Sequence, residues 1–157
     1  MSIPSRLKDE LPGTFFVSAT AIQRRRLLQS DRSANLFIEV LLAYRDSGKF
    51  RVHEFTVMPN HIHLLITPIE SNISAAMQLI KGGFSFRAGK EFGLKGEIWQ
   101  RGFSEHCVRD TRDYLHHKEY IWQNAVKAQL AERAEDYAFC SANGQFRLDP
   151  IPVNLRG

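Results

Sequence analysis

The order of elements legible in the sequence is strand, helix, strand, strand, helix, strand, helix. It predicts an α+β fold, a small antiparallel sheet with helices packed on one face, close to the ferredoxin-like arrangement. Three observations carry this expectation. Runs rich in β-branched and aromatic residues recur between segments of helical periodicity. The two central runs are joined by Pro59-Asn60 alone, which leaves room only for an antiparallel hairpin. The chain has 157 residues, enough for one core and not two.

The elements follow in order. Thr14 to Thr20 (TFFVSAT), after a Pro12-Gly13 turn signal, reads as the first strand. A basic connection leads to Ser30 or Asp31, either of which can cap a helix through Asn35–Tyr44 that Gly48 stops. Phe50 to Met58 alternates, with Phe50, Val52 and Glu54 on one parity and Arg51, His53, Phe55 and Val57 on the other. His61 to Thr67 completes the hairpin. Asn72 or Ser74 caps a second helix containing Ala75, Ala76, Met77, Leu79 and Ile80, and the adjacent Gly82-Gly83 predict a kink in its continuation. Glu97 to Arg109 reads as a short strand or extended arm, and Asp110 or Thr111 opens a third helix reaching about Leu130. Beyond Tyr137 the composition turns to Ser, Asn, Gly and Pro. The expected organisation is therefore a single domain over residues 1–136 and an irregular C-terminal tail over 137–157.

Hydrophobic residues at 43% and charged residues at 24% exclude disordered, collagenous and coiled-coil classes. The 21 Lys+Arg against 17 Asp+Glu give a net charge of +4, which permits a polyanionic partner without requiring one. Cys107 and Cys140 form no CxxC pair and no disulfide framework, which fits a reducing cytoplasm. Met1-Ser2-Ile3-Pro4-Ser5-Arg6 has no apolar leader, and no apolar run spans a membrane. A nucleotide cofactor is not expected, since the chain carries no Gly-x-x-x-x-Gly-Lys loop.

Two residues apart in a strand, His61 and His63 point both imidazoles to one face, while Ile62 faces the other. This is either a two-pronged metal site or a pair of structural histidines. On the third helix Tyr120 and Asn124 are four apart and lie one above the other. His61, His63 and Asn124 are a candidate ligand set for a divalent ion, Mg²⁺ or Mn²⁺, beside a tyrosine nucleophile, with Gln123 an alternate ligand. Tyr114 is the competing nucleophile, but its i+4 neighbour is Lys118, a poor metal ligand. His117 either touches the site or is solvated like His116; His53 and His106 read as structural or DNA-contacting. Arg24, Arg25 and Arg26, with Lys81, Arg87, Lys90 and Arg101, form a candidate DNA track. Phe84, Phe86, Phe92 and Trp99 interleave with its second half as candidate stacking residues for unpaired bases.

At these residues the sequence resembles a known family. Met58-Pro59-Asn60-His61-Ile62-His63-Leu64-Leu65 resembles the histidine-hydrophobic-histidine motif of the single-tyrosine HUH transposases, and Tyr120 to Lys127 (YIWQNAVK) resembles the block that carries their catalytic tyrosine. Ile80-Lys81-Gly82-Gly83-Phe84-Ser85, Ile98-Trp99-Gln100-Arg101-Gly102-Phe103 and His106-Cys107-Val108-Arg109-Asp110 match the joining segments in the family's order, so the resemblance covers roughly residues 15–130. The subgroup is that of the REP-associated tyrosine transposases. The resemblance implies an HUH-type nuclease core and a metal-dependent endonuclease and strand transferase. Its expected partner is single-stranded or hairpin DNA, cut through a 5′-phosphotyrosine, in a monomer or homodimer. A nucleic-acid-binding module without turnover and a simple metal-dependent hydrolase are the alternatives. One departure stands out. Where the subgroup has Asn-Pro-Val, this chain has Asn124-Ala125-Val126, so the third helix is expected to run on where relatives turn.

Overall fold

A computed structural model describes residues 13–155; the leader reading at residues 1–6 and Pro12 of the first turn signal lie outside them. The described elements are β1 (Phe15–Thr20), α1 (Asp31–Asp46), β2 (Phe50–Met58), β3 (His61–Pro68), α2 (Ile73–Phe92), β4 (Ser104–Cys107) and α3 (Thr111–Lys127). The four strands form one sheet in the order β2-β3-β1-β4, and every neighbouring pair is antiparallel.

Local chemistry sets the helix ends. Ser30 caps α1, its side chain accepting from the Ser33 amide, and Gly48 at φ +85° lets the chain turn away beyond the last turn. Asn72 caps α2 by accepting from the Ala75 amide at 2.8 Å, and Asp110 caps α3 by accepting from the Asp113 amide at 2.8 Å. No kink interrupts α2 at the glycine pair; its twenty residues form one helix. The reason is tertiary. A Cβ on Gly83 would sit 2.9 Å from the Tyr44 ring and 3.1 Å from Val40, so this glycine lets α2 press against α1. Like the departure at Ala125 implies, α3 continues past Asn124 to Lys127, with Ala125 buried.

Strand alternation divides the interior in two. Ile62, Leu64 and Ile66 of β3 face a large core with Val17 and Ala19 of β1, Phe37 and Leu41 of α1, and Met77, Ile80 and Phe84 of α2. Fully burying each of these side chains other than Ala19 contributes about 1.5–3 kcal/mol. His61, His63 and Leu65 take the opposite face, where Leu65 packs in a second cluster with Val108, Tyr114 and Ile121. The class and the antiparallel sheet are as the sequence predicts, but only α1 and α2 share a face. The third helix covers the other, because the residues that alternate with the β3 core positions also need a partner.

A register shift between Val52 and Glu54 corrects the alternation expected for β2. The extra residue at His53 resets the parity, so Phe55 and Val57 join Phe50 and Val52 in the large core. Beyond α3 the described residues form three short 3-10 turns, at Ala134–Asp136, Ser141–Asn143 and Val153–Leu155, and an isolated bridge from Cys140 to Thr56. The chain returns along the outer edge of β2. The Val57 amide donates to the Phe139 carbonyl, the Phe55 amide to Ser141 Oγ, and the Val52 amide to Asp149 Oδ2. These bonds cover the edge of a strand that would otherwise be open.

Candidate active site

The strand β3 sets His61 and His63 side by side, ring centroids 4.8 Å apart, on the face that α3 covers. Tyr120 meets His63 edge to face at 5.3 Å. Phe16 of β1 forms the floor, stacked on His63 at 5.5 Å and edge-on to Tyr120 at 5.8 Å. Asn124, one turn beyond Tyr120, brings its side-chain amide to His61. The four residues singled out in two separate motifs thus come together, although His63 is separated from Tyr120 by 57 positions of chain.

The two imidazoles are oriented from behind. His61 Nδ1 is 2.7 Å from Asn60 Oδ1, an acceptor, so Nδ1 carries the proton and Nε2 keeps its lone pair. His63 Nδ1 is 2.6 Å from Ser18 Oγ on β1, the residue paired with it across the strands. Burial pushes the His63 pKa down to about 3, helped by the neighbouring His61. Burial also lowers His61; the hydrogen bond with Asn124 opposes this and the Arg24 charge adds to it. Both rings are therefore neutral at pH 7, the form that binds metals. Two ring nitrogens with their other nitrogens engaged, beside an amide, suit a divalent metal.

The two tyrosines differ in access. Tyr120 is 42% exposed, while Tyr114 is 4% exposed, with its hydroxyl pKa raised by burial and by Glu54. Lys127, which the sequence did not single out, holds its ammonium 5.9 Å from the Tyr120 ring centroid. Gln123 is half-buried one step round the helix from Asn124. His53 is buried in the bulge, hydrogen-bonded to Thr67 Oγ1 and facing the Asp149 carbonyl. His117 packs on the other side of Phe16 at 4.6 Å, and His106 stacks on His117.

Among the basic candidates, Arg24, Arg25, Arg26, Lys90 and Arg101 are exposed. Arg24 acts electrostatically on His61, so its charge lies near the histidine pair. Lys81 is spent locally, its ammonium donating to the Gln100 and Gly102 carbonyls, and Arg87 pairs with Glu39 and Glu91. The expected aromatic track is largely core. Phe84 and Trp99 pack with Phe37, and Phe92 lies under the Arg32 guanidinium; of the four, Phe86 stands open at 69% exposure.

Known proteins are similar to this chain in sequence and fold. A family model described as Transposase IS200 like matches residues 16–124. The REP-associated tyrosine transposase of Escherichia coli strain K12 is 30% identical over 147 residues, covering 92% of this chain and 86% of its own length. A putative REP-associated tyrosine transposase of Haemophilus influenzae is 26% identical, covering 83% and 85%. Among solved structures, a REP-associated tyrosine transposase bound to a REP hairpin superposes with a TM-score of 0.69 at 28% identity, covering 92% of this chain and 86% of that one. A putative transposase from Deinococcus radiodurans, 17% identical with a TM-score of 0.54, shares the fold. A family match over more than half of the chain and a relative aligned over nearly the whole of it agree. The chain belongs to the IS200-like transposases, as an enzyme of their REP-associated tyrosine group.

Proposed function

We propose that the protein is a metal-dependent single-stranded DNA endonuclease and strand transferase that acts on REP-like hairpin DNA. The observation that carries this reading is the exposed Tyr120 ring set edge to face against His63, whose Nδ1 is held by Ser18. Tyr120 Oη attacks the scissile phosphorus. The phosphorus–O3′ bond breaks, the phenolic proton passes to solvent, and the departing oxygen takes up a proton to become a 3′-OH. The 5′ side of the cut stays on the enzyme as a phosphotyrosine, and attack by a 3′-OH reverses the exchange without ATP, because the phosphodiester is conserved. His61, His63 and Asn124 would hold Mg²⁺ or Mn²⁺, which supplies polarisation of a non-bridging phosphate oxygen when bound. Phe16 and Ser18 fix the ring that meets the nucleophile. Arg24, Arg25, Arg26, Lys90 and Arg101, all exposed, would meet the DNA backbone, whereas Lys81 and Arg87 serve the protein's own contacts.

Incubation of the protein with labelled hairpin DNA and Mn²⁺, followed by denaturing electrophoresis, tests the reading. A covalent protein–DNA band is expected from the wild type and from Tyr114→Phe, and none from Tyr120→Phe, which should still bind the hairpin. Cleavage without an adduct would indicate simple hydrolysis; an adduct that survives Tyr120→Phe and disappears in Tyr114→Phe would reassign the nucleophile.

A further inference from the structure

A second group of ligating side chains lies across Phe16 from the histidine pair. His106 of β4 places Nε2 2.7 Å from Asp113 Oδ2, and His117, one turn along α3, places Nδ1 3.1 Å from Asp113 Oδ1. The ligand atoms of all three residues lie within 4.8 Å of one another. The two rings stack at 4.7 Å with 26° between planes, both turned toward the one carboxylate. Phe16 separates this group from the other, touching His63 on one side and His117 on the other.

We propose that His106, Asp113 and His117 form a second divalent-cation site, for a zinc-class ion, distinct from the one at His61 and His63. Two imidazoles and a carboxylate are a donor set for first-row transition ions. Ligands at tetrahedral angles around an ion, each about 2.0–2.2 Å from it, stand about 3.3–3.6 Å apart, so the His–Asp contacts at 2.7 and 3.1 Å open by about half an ångström to admit one. The three side chains therefore need little rearrangement to converge on one ion. The cost is a change of tautomer. His106 moves its proton from Nε2 to Nδ1, and His117, whose Nδ1 also faces the Asp113 carbonyl at 2.9 Å, moves its proton to Nε2. Asp113 is 8% exposed and already anionic, since the Arg109 amide and the two histidines outweigh its burial. The Arg109 side chain, 3.6 Å from the same carboxylate, opposes a cation but is 79% exposed and free to swing into solvent. His106, at 39% exposed, leaves an open side where water completes the coordination. Because His106 belongs to the edge strand and the other two ligands to α3, a bound ion would clip the start of that helix to the sheet.

Metal uptake tests this independently of DNA cleavage. Metal-free His61→Ala/His63→Ala protein is titrated with Co²⁺ and followed by its visible absorption. One equivalent is expected, and it should be lost when His106→Gln/His117→Gln is added. X-ray absorption of the same double-alanine protein loaded with one equivalent of Zn²⁺ should show two imidazoles and oxygen donors, which decides the matter even where the quadruple variant fails to fold. No uptake by the double-alanine protein, uptake that survives His106→Gln/His117→Gln, or a zinc shell with fewer than two imidazoles would each overturn the site.

Discussion

Removing the Ser18 hydroxyl tests how the histidine pair is held. Ser18 Oγ is 2.6 Å from His63 Nδ1, and His63 is 6% exposed. Ser18→Ala frees the ring to rotate and leaves Nδ1 without its partner; loss of an outer partner of a ligating histidine costs about 10–100-fold in metal affinity. That corresponds to about 1.4–2.7 kcal/mol. Orphaning a buried ring nitrogen also destabilises the fold by about 1–3 kcal/mol. Ser18→Thr keeps the hydroxyl in a strand that suits a β-branched residue and should bind within about threefold of its parent. The assay is Mn²⁺ binding by calorimetry, in a His106→Gln/His117→Gln background so that one site is read. A Kd for Ser18→Ala within twofold of its parent would refute the reasoning, since His63 Nε2 would then not depend on what holds Nδ1.

Three further outcomes are expected. Gly82→Ala, where a Cβ meets nothing, should stabilise by about 0.5–1 kcal/mol, whereas Gly83→Ala should lose that gain against Tyr44 and Val40; equal urea midpoints for the two would show that the close helix contact is soft. In EDTA, stability should be full above pH 6.5 and fall as the pH drops toward 3, because unfolded His63 takes up a proton that the folded ring refuses; the loss is about 2 kcal/mol by pH 5. Urea titrations at pH 7.5 and 5 check this, and His63→Gln should lose less. Replacing Arg24, Arg25 and Arg26 with alanine should weaken hairpin binding across sequences and reduce the salt slope by roughly 0.7–0.9 per lost phosphate contact; an unchanged slope would place the DNA elsewhere.

The parts legible in the sequence depend on short spacings. A period of two puts His61 and His63 on one face, a separation of four puts Tyr120 and Asn124 on another, and Ser30, Asn72 and Asp110, each one of two cap candidates in the sequence, cap helices one residue ahead of their starts. What escaped is set by residues far away in the chain. The bulge at His53 is one inserted residue that alternation alone does not show. The glycine pair reads as a break until Tyr44 is placed against it. Lys81 and Arg87 read as free charge until the carbonyls of Gln100 and Gly102 and the carboxylates of Glu39 and Glu91 are brought to them. Likewise Phe84 and Trp99 resemble a stacking platform in sequence and are interior packing in space.

The order in which the ribosome delivers this fold puts β2 at a disadvantage. The strand leaves the exit tunnel early, yet Phe55 is closed by Ser141, 86 residues later, and Val52 by Asp149, 97 residues later. Throughout that interval the nascent chain presents a nine-residue strand, most of it apolar, with one row of backbone amides and carbonyls unpaired. At ordinary elongation rates of about 5–20 residues per second the exposure lasts several seconds, long enough for neighbouring nascent chains on one message to pair edge to edge. Slower initiation, lower temperature or a holdase that binds extended strands should therefore raise the soluble yield more than any substitution in the finished core.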